Sequence, residues 1–147
     1  MNVLQVSINK LKKYYGANLI LDNVSFELME GEKTGLIGKN GSGKTSLLES
    51  VYFLGLARSF RTNKLLSFIQ KEHQTCSVFG EIHHQEEIIT LGITRSLQNK
   101  QHIKIEGTRC QSVSELAQYI PIQLINPDAF TCLQAAPAIR RKILDWG

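Results

Sequence analysis

Hydrophobic positions recur along the 147-residue chain with two different periods, which distinguish helical from strand-forming segments. Apolar side chains alternate over residues 3–8 and again over 19–28, and both segments are predicted to form strands. A short apolar strand is also predicted at 33–37. Over residues 44–56 the apolar positions follow helical spacing, so a helix is predicted there, and residues 64–69 could extend as a second helix.

The second half of the chain is predicted to consist mainly of strands. Three apolar segments separated by polar junctions predict a β-meander over residues 76–82, 88–93 and 103–106. Ser112 or Ser114 can cap a short helix that ends near Tyr119. A last strand is predicted at 121–125, and a preceding proline favours a closing helix at 138–145.

Composition and charge fit one globular domain. The chain is 42% hydrophobic and 20% charged, which is ordinary for globular proteins and excludes disorder on composition. Its apolar runs are too short to span a bilayer and no secretory signal is recognisable, so a cytoplasmic protein without a membrane partner is expected. Three widely spaced cysteines argue against a disulfide scaffold and a zinc ribbon. The net charge of +4 permits a polyanionic partner without requiring one.

A glycine-rich motif lies between the predicted strand at 33–37 and the predicted helix at 44–56. It has the form Gly-x4-Gly-Lys-[Ser/Thr], in which glycines let successive backbone N–H groups surround a phosphate and the helix N-terminus adds positive charge. Lys44 is expected to reach the β- and γ-phosphates, and the Thr45 hydroxyl to bind Mg²⁺. The alternative, a glycine-rich turn without a ligand, fits this strand-to-helix context poorly. The predicted nucleotide-binding residues are Gly38, Lys39, Asn40, Gly41, Ser42, Gly43, Lys44, Thr45 and Ser46.

The residues that lead into this loop resemble the opening of an ABC-cassette ATPase. The segments concerned are Lys13-Tyr14-Tyr15-Gly16, Leu21 to Glu27, Gly31-Glu32 and Gly35 to Gly38. This resemblance implies that Tyr15 stacks on adenine and that the nucleotide is ATP; the alternative is a tyrosine that covers a hairpin. Asp22 precedes the loop, which is the wrong order for a magnesium-binding strand, so it is interpreted as a turn residue.

From the loop onwards, residues 38–147 resemble the RecF family of bacterial recombination mediators, whose ATPase head is related to SMC heads. Three stretches carry this resemblance, in matching order and spacing. They are Lys44 to Gly55 with Arg58-Ser59-Phe60-Arg61; Ile105-Glu106-Gly107 with Glu115-Leu116-Ala117; and Pro121 to Ile125 with Pro127, Phe130, Pro137, Arg140-Arg141 and Leu144-Asp145-Trp146-Gly147.

The RecF resemblance implies an α/β P-loop fold, with a mixed sheet around the phosphate loop and an antiparallel β-layer, equivalent to the first lobe of an ABC/SMC-type head. It implies an ATP-binding lobe of a DNA repair protein with DNA and recombination mediator proteins as partners, and an ATP-dependent homodimer of the full-length parent. It places Gln123 at the glutamine that senses Mg²⁺ and the γ-phosphate, although an inward polar residue is equally compatible. It places Arg58 and Arg61 on a DNA-facing surface, with a structural salt-bridged role as the alternative.

Because the two resemblances meet inside one phosphate loop, the single lobe is divided at residues 1–45 and 46–147. A natural or engineered chimera, or a divergent N-terminus, would account for this division. The later signature sequence and magnesium-binding carboxylate of RecF-like heads are missing, so the lobe is expected to be incomplete at its C-terminus. No catalytic residue is identified, and poor hydrolysis is expected. An ABC-cassette ATPase of translation or transport, or a nucleotide-binding fold without native activity, remains as an alternative.

Overall fold

An antiparallel sheet and the helix packed against it make up most of the described chain. The computed structural model describes residues 4–61, 69, 72–84 and 87–125. The elements are β1 (Leu4–Tyr15), β2 (Asn18–Met29), α1 (Lys44–Leu56), β3 (Thr75–His84), β4 (Glu87–Ser96), β5 (Gln101–Ile105), β6 (Thr108–Cys110), a 3-10 turn (Val113–Glu115) and α2 (Leu116–Tyr119). Neither of these helices is long and apolar enough to cross a membrane.

The sheet has the strand order β2-β1-β3-β4-β5-β6, and neighbouring strands are antiparallel throughout. β1 is longer than the predicted strand at 3–8 because it continues through a bulge. Lys10 has a left-handed backbone (φ 51°), and the pairing with β2 shifts between Ile8 and Leu11. Beyond this bulge the buried positions of β1 include Leu11 and Lys13. The bulge therefore changes which sequence positions face the core.

The core lies between α1 and one face of the sheet. Phe53 and Leu54 of α1 are fully buried, and so are Leu11 of β1, Val78 of β3 and Ile93 of β4. Burying a side chain of this size contributes about 1.5–3 kcal/mol, so this layer holds α1 on the sheet. The position of α1 matters because the glycine-rich loop leads directly into its first residue.

Two predicted strands and the mixed sheet do not form in the described residues. Residues 33–37 are irregular and exposed, with Ile37 95% exposed, and residues 121–125 are irregular too. A short strand depends on ladder hydrogen bonds from a neighbouring strand, and neither segment pairs with a described one. Pro121 also lacks an N–H to donate. The sheet of the described chain is thus antiparallel rather than mixed.

The other predicted elements agree with the structure or fall outside it, but Asp22 lies within β2 and the interpretation as a turn residue is wrong. β3, β4 and β5 confirm the meander, and β6 extends it by one short strand that was not predicted. Ser112 caps the following turn, since its Oγ accepts a hydrogen bond from the Ser114 N–H at 3.3 Å, and α2 ends at Tyr119 as expected. Of the helix predicted at 64–69 only Ile69 is described, and the helix predicted at 138–145 lies outside the described residues.

Candidate nucleotide-binding site

The glycine-rich loop ends directly at the N-terminus of α1. Gly41 and Gly43 have φ values of 83° and 89°, a left-handed conformation that L side chains rarely adopt. Gly43 is the N-cap residue of α1 and supplies no side-chain hydrogen bond, and the first turn contains no acidic residue. The first N–H groups of a helix have no partner within the helix. Here the sequence leaves them without the usual side-chain cap, as a phosphate site requires.

Lys44 is folded back over the loop that precedes it. Its Nζ donates hydrogen bonds to the carbonyl oxygens of Gly38 and Lys39, the latter at 2.8 Å. A Cβ on Gly38 would lie 2.6 Å from the Ser42 Oγ, so a larger residue here would displace the Ser42 hydroxyl group. A cavity of about 250 Å³ is lined by Asn40, Gly41, Ser42, Gly43, Lys44, Thr45 and Ser46. Backbone N–H groups and one ammonium group around a small cavity form a donor set that suits phosphate.

Thr45, the predicted magnesium ligand, is exposed in the first turn of α1 and lines the same cavity. Magnesium is usually held by one or two protein oxygens together with phosphate oxygens of the substrate. A threonine hydroxyl beside a phosphate cavity fits that donor set, so the residues present are compatible with a magnesium nucleotide.

Tyr15, the predicted adenine-stacking residue, ends β1 and lies partly buried against the core. Its ring stacks with that of His73, with the centroids 6.3 Å apart and the planes at 17°. The Lys13 Nζ lies 5.0 Å from the centroid of the Tyr15 ring. His73 in turn contacts Asn18 through a hydrogen bond of 3.2 Å between Nε2 and Nδ2. Tyr15 thus lies between Lys13 and His73 next to the β1–β2 turn, and adenine stacking stays a prediction.

A buried ion pair that the sequence patterns did not predict joins β1 to α1. The Lys13 Nζ lies 3.0 Å from the Glu49 Oε2, and the Ser59 Oγ donates to the Glu49 Oε1 at 2.8 Å. Desolvation by burial lowers the pKa of Lys13, but Glu49 and the neighbouring Tyr15 outweigh it, so that the pKa is raised above its ordinary value of 10.5. Lys13 is therefore charged at neutral pH.

Arg58 and Arg61, the predicted DNA-contacting residues, follow the end of α1 and are both exposed. Ala57 ends the helix in a left-handed conformation, and its carbonyl oxygen accepts a hydrogen bond from the Arg95 Nη1 at 3.3 Å. The Arg61 N–H donates to the Ser59 Oγ at 3.1 Å. This turn thus presents two cationic side chains from a fixed backbone, and their DNA contact stays a prediction.

Gln123 does not contact the phosphate loop within the described part of the chain. Its side chain is exposed on the irregular segment 121–125. The neighbouring Ile122 packs against the C-terminal half of α1, where a Cβ on Gly55 would lie 2.5 Å from the Ile122 Cδ1. Gly55 is roughly 18 Å along the helix axis from Gly43, at 1.5 Å per residue. A role of Gln123 at the nucleotide or at Mg²⁺ stays a prediction.

An antiparallel β-layer, a phosphate loop and the helix that follows it define the first lobe of a P-loop ATPase head. Residues 3–131 match the model of the RecF/RecN/SMC N-terminal domain, and the chain belongs to this family. The match covers residues 3–45 of the segment with ABC-like motifs and residues 46–131 of the RecF-like segment.

The DNA replication and repair protein RecF of Pseudomonas entomophila (strain L48) is 51% identical to this chain over 113 residues, which are 76% of this chain and 31% of that protein. RecF of Marinomonas sp. (strain MWYL1) is 47% identical with the same coverage. This chain thus spans about a third of the length of these curated relatives.

Solved structures show the same fold. The recombination mediator RecF with ATP, in the RecFOR pathway, superposes with a TM-score of 0.69 and 25% identity over 96% of this chain and 39% of that one. A structure from work on ATP-driven dimerization and DNA-stimulated activation of SMC ATPases superposes with a TM-score of 0.61 over 95% of this chain and 98% of that one. Its identity is 17%, so it supports the fold alone.

Proposed function

We propose that this chain is the ATP-binding lobe of a RecF-like DNA repair and recombination mediator that binds DNA in an ATP-dependent way. The observation that carries the proposal is the closed glycine loop at the start of α1, with the Lys44 ammonium group held against the Gly38 and Lys39 carbonyl oxygens. A triphosphate would replace these carbonyl oxygens as the partner of Lys44. The loop N–H groups and the helix N-terminus would bind the remaining phosphate oxygens.

ATP is the proposed nucleotide because the chain is 25% identical to a RecF structure that contains ATP. Mg²⁺ would bind to the Thr45 hydroxyl and to phosphate oxygens. Gln123 would approach the metal and the γ-phosphate in the longer parent protein. Tyr15 would contribute the adenine contact, since it lies in β1 two residues after Lys13, whose Nζ contacts Glu49 of α1.

DNA and other recombination mediator proteins are the proposed partners, by analogy with the repair and RecFOR roles of the relatives. Arg58 and Arg61 supply exposed cationic side chains for phosphate contacts, and the net charge of +4 favours a polyanion. The same proposal includes three further properties of the parent protein. These are an ATP-dependent homodimer, a role in DNA replication and the SOS response, and a cytoplasmic location.

Titration with labelled ATP, with and without Mg²⁺, tests the phosphate site. Lys44→Ala is expected to weaken ATP binding at least tenfold, since it removes a charged contact that is worth about 1.5–3 kcal/mol. Lys33→Ala is the matched control, because Lys33 is an exposed lysine outside the loop cavity and its loss changes the net charge equally. Equal ATP affinity of Lys44→Ala and Lys33→Ala would refute the phosphate-site assignment.

A further inference from the structure

Glu49 is a buried carboxylate with both oxygen atoms engaged. Its Oε2 faces the Lys13 Nζ at 3.0 Å and its Oε1 accepts from the Ser59 Oγ at 2.8 Å. The exposed fractions are 1% for Lys13, 5% for Glu49 and 8% for Ser59. The Ser59 Oγ also accepts a hydrogen bond from the Arg61 N–H. The carboxylate is therefore held in one orientation by partners on two sides.

Stability alone is a weak explanation for this arrangement. Transferring two charges from water to a protein interior costs several kcal/mol per ion, and apolar side chains of similar volume often serve the fold equally well. A buried ion pair differs from an apolar contact because its hydrogen-bond geometry is satisfied at only one relative position of the two elements that it joins. Such a pair is suited to fixing register.

The elements that this pair joins carry the two halves of the proposed nucleotide site. Glu49 lies in α1, which begins at Lys44 and follows the phosphate loop. Lys13 lies in β1, two residues before Tyr15, and its Nζ is 5.0 Å from the centroid of the Tyr15 ring. One ammonium group thus touches both the phosphate-loop helix and the aromatic residue proposed for the adenine.

We propose that Glu49 is a positioning residue, which through Lys13 sets the distance between the aromatic end of β1 and the phosphate loop. The pair selects ligands that carry a base at the correct separation from a triphosphate. Phosphate binding itself depends on the loop and on Lys44. This inference rests on the proposed ATP site and adds to it the group that gives the site its preference for a nucleotide over triphosphate alone.

The test compares the affinities for Mg-ATP and for inorganic triphosphate by calorimetry. The main variant is Lys13→Met/Glu49→Leu, which removes both charges and keeps side-chain volume. The matched control is Lys12→Met/Asp22→Leu, which removes the exposed ion pair between β1 and β2, whose Nζ–Oδ1 distance is 3.8 Å. Circular dichroism with thermal unfolding establishes that each variant is folded.

For the main variant we expect ATP affinity to fall tenfold or more, the scale of one base–aromatic stack, and triphosphate affinity to change less than threefold. The control is expected to keep both affinities. If the main variant does not fold, Glu49→Gln replaces it, because glutamine has the shape of glutamate without its charge. The ratio of ATP affinity to triphosphate affinity of Glu49→Gln is expected to fall threefold or more.

An unchanged ratio in a folded variant that binds both ligands would overturn the inference, because the pair would then be only structural. An equal loss for both ligands would overturn it as well. Failure of the unmodified chain to bind ATP would instead refute the proposed function, and this inference with it.

Discussion

Removing the cation of the buried ion pair is expected to cost a large part of the stability of the fold. In Lys13→Met the apolar stem is kept and the ammonium group is lost, so Glu49 stays buried with Ser59 as its partner. Breaking a buried pair by removing one partner costs about 3–5 kcal/mol, because an uncompensated charge remains. Domains of this kind are stable by about 5–15 kcal/mol in total, so the effect is large.

Urea unfolding followed by circular dichroism measures this loss. With a slope of about 2 kcal/mol/M, the midpoint of Lys13→Met is expected to fall by roughly 1.5–2.5 M. Lys13→Met/Glu49→Leu is expected to recover more than half of that loss, because it removes the stranded carboxylate. Lys12→Met, at an exposed pair, is expected to change stability by about 1 kcal/mol or less. A midpoint of Lys13→Met within 0.3 M or so of the unmodified protein would refute the burial argument.

The same pair predicts a direction of pH dependence. The pKa of Lys13 is raised in the folded protein above the ordinary value of 10.5, because Glu49 and Tyr15 outweigh desolvation. Its contribution to stability is therefore fully present below pH 10.5 and is lost as the pH rises through the folded-state value. The stability difference between the unmodified protein and Lys13→Met/Glu49→Leu should shift in favour of the variant at strongly alkaline pH. A difference that stays constant up to the unfolding pH would contradict this assignment.

Three further changes have defined expected results. Tyr15→Ala should weaken ATP binding by about 1–3 kcal/mol and leave triphosphate binding unchanged, whereas Tyr14→Ala, the neighbouring control, should affect neither; normal ATP affinity of Tyr15→Ala in calorimetry would refute the stack. Gly55→Ala gains about 1 kcal/mol of helix propensity, but its Cβ would lie 2.5 Å from the Ile122 Cδ1. Urea unfolding should therefore show a net loss of stability. A stabilised variant would contradict the observed packing. Burial raises the pKa of Cys76 to about 12. In a variant with the other two cysteines replaced by serine, the Cys76 thiol should therefore resist iodoacetamide at pH 8 until the chain unfolds. Rapid labelling of the folded protein would refute this.

The position of the glycine-rich loop at the start of α1 was predictable because its sequence signal is local. Glycines, a lysine and the start of a helix lie within a few consecutive positions, and the structure closes them around one cavity. The β-meander was predictable for a similar reason, since its alternating segments pair with their sequence neighbours. The strand predicted at 33–37 differs, because a strand also needs a partner, and partners are not encoded in the segment itself.

β1 shows how a single backbone feature limits pattern analysis. The predicted strand stops at Ile8, which is a fully buried core position. The bulge at Lys10 shifts the register, so that Leu11 and Lys13 face the core instead. A lysine on a core face also contradicts the usual assignment of charged residues to the surface. Its partner Glu49 lies in another element, 36 residues along the chain, where no local pattern indicates the pairing.

The same pair bears on the two resemblances that meet in the phosphate loop. Lys13 lies in the segment with ABC-like motifs, whereas Glu49 and Ser59 lie in the RecF-like segment. Joining two unrelated segments would have to bring a buried cation and a buried carboxylate together at once, because either charge alone is strongly destabilising. A divergent N-terminus would have to acquire the two charges together as well, and the residues that match the family model, 3–131, include both of them. The pair is therefore compatible with either origin, and a parent gene sequence across Gly38–Thr45 is the observation that decides between them.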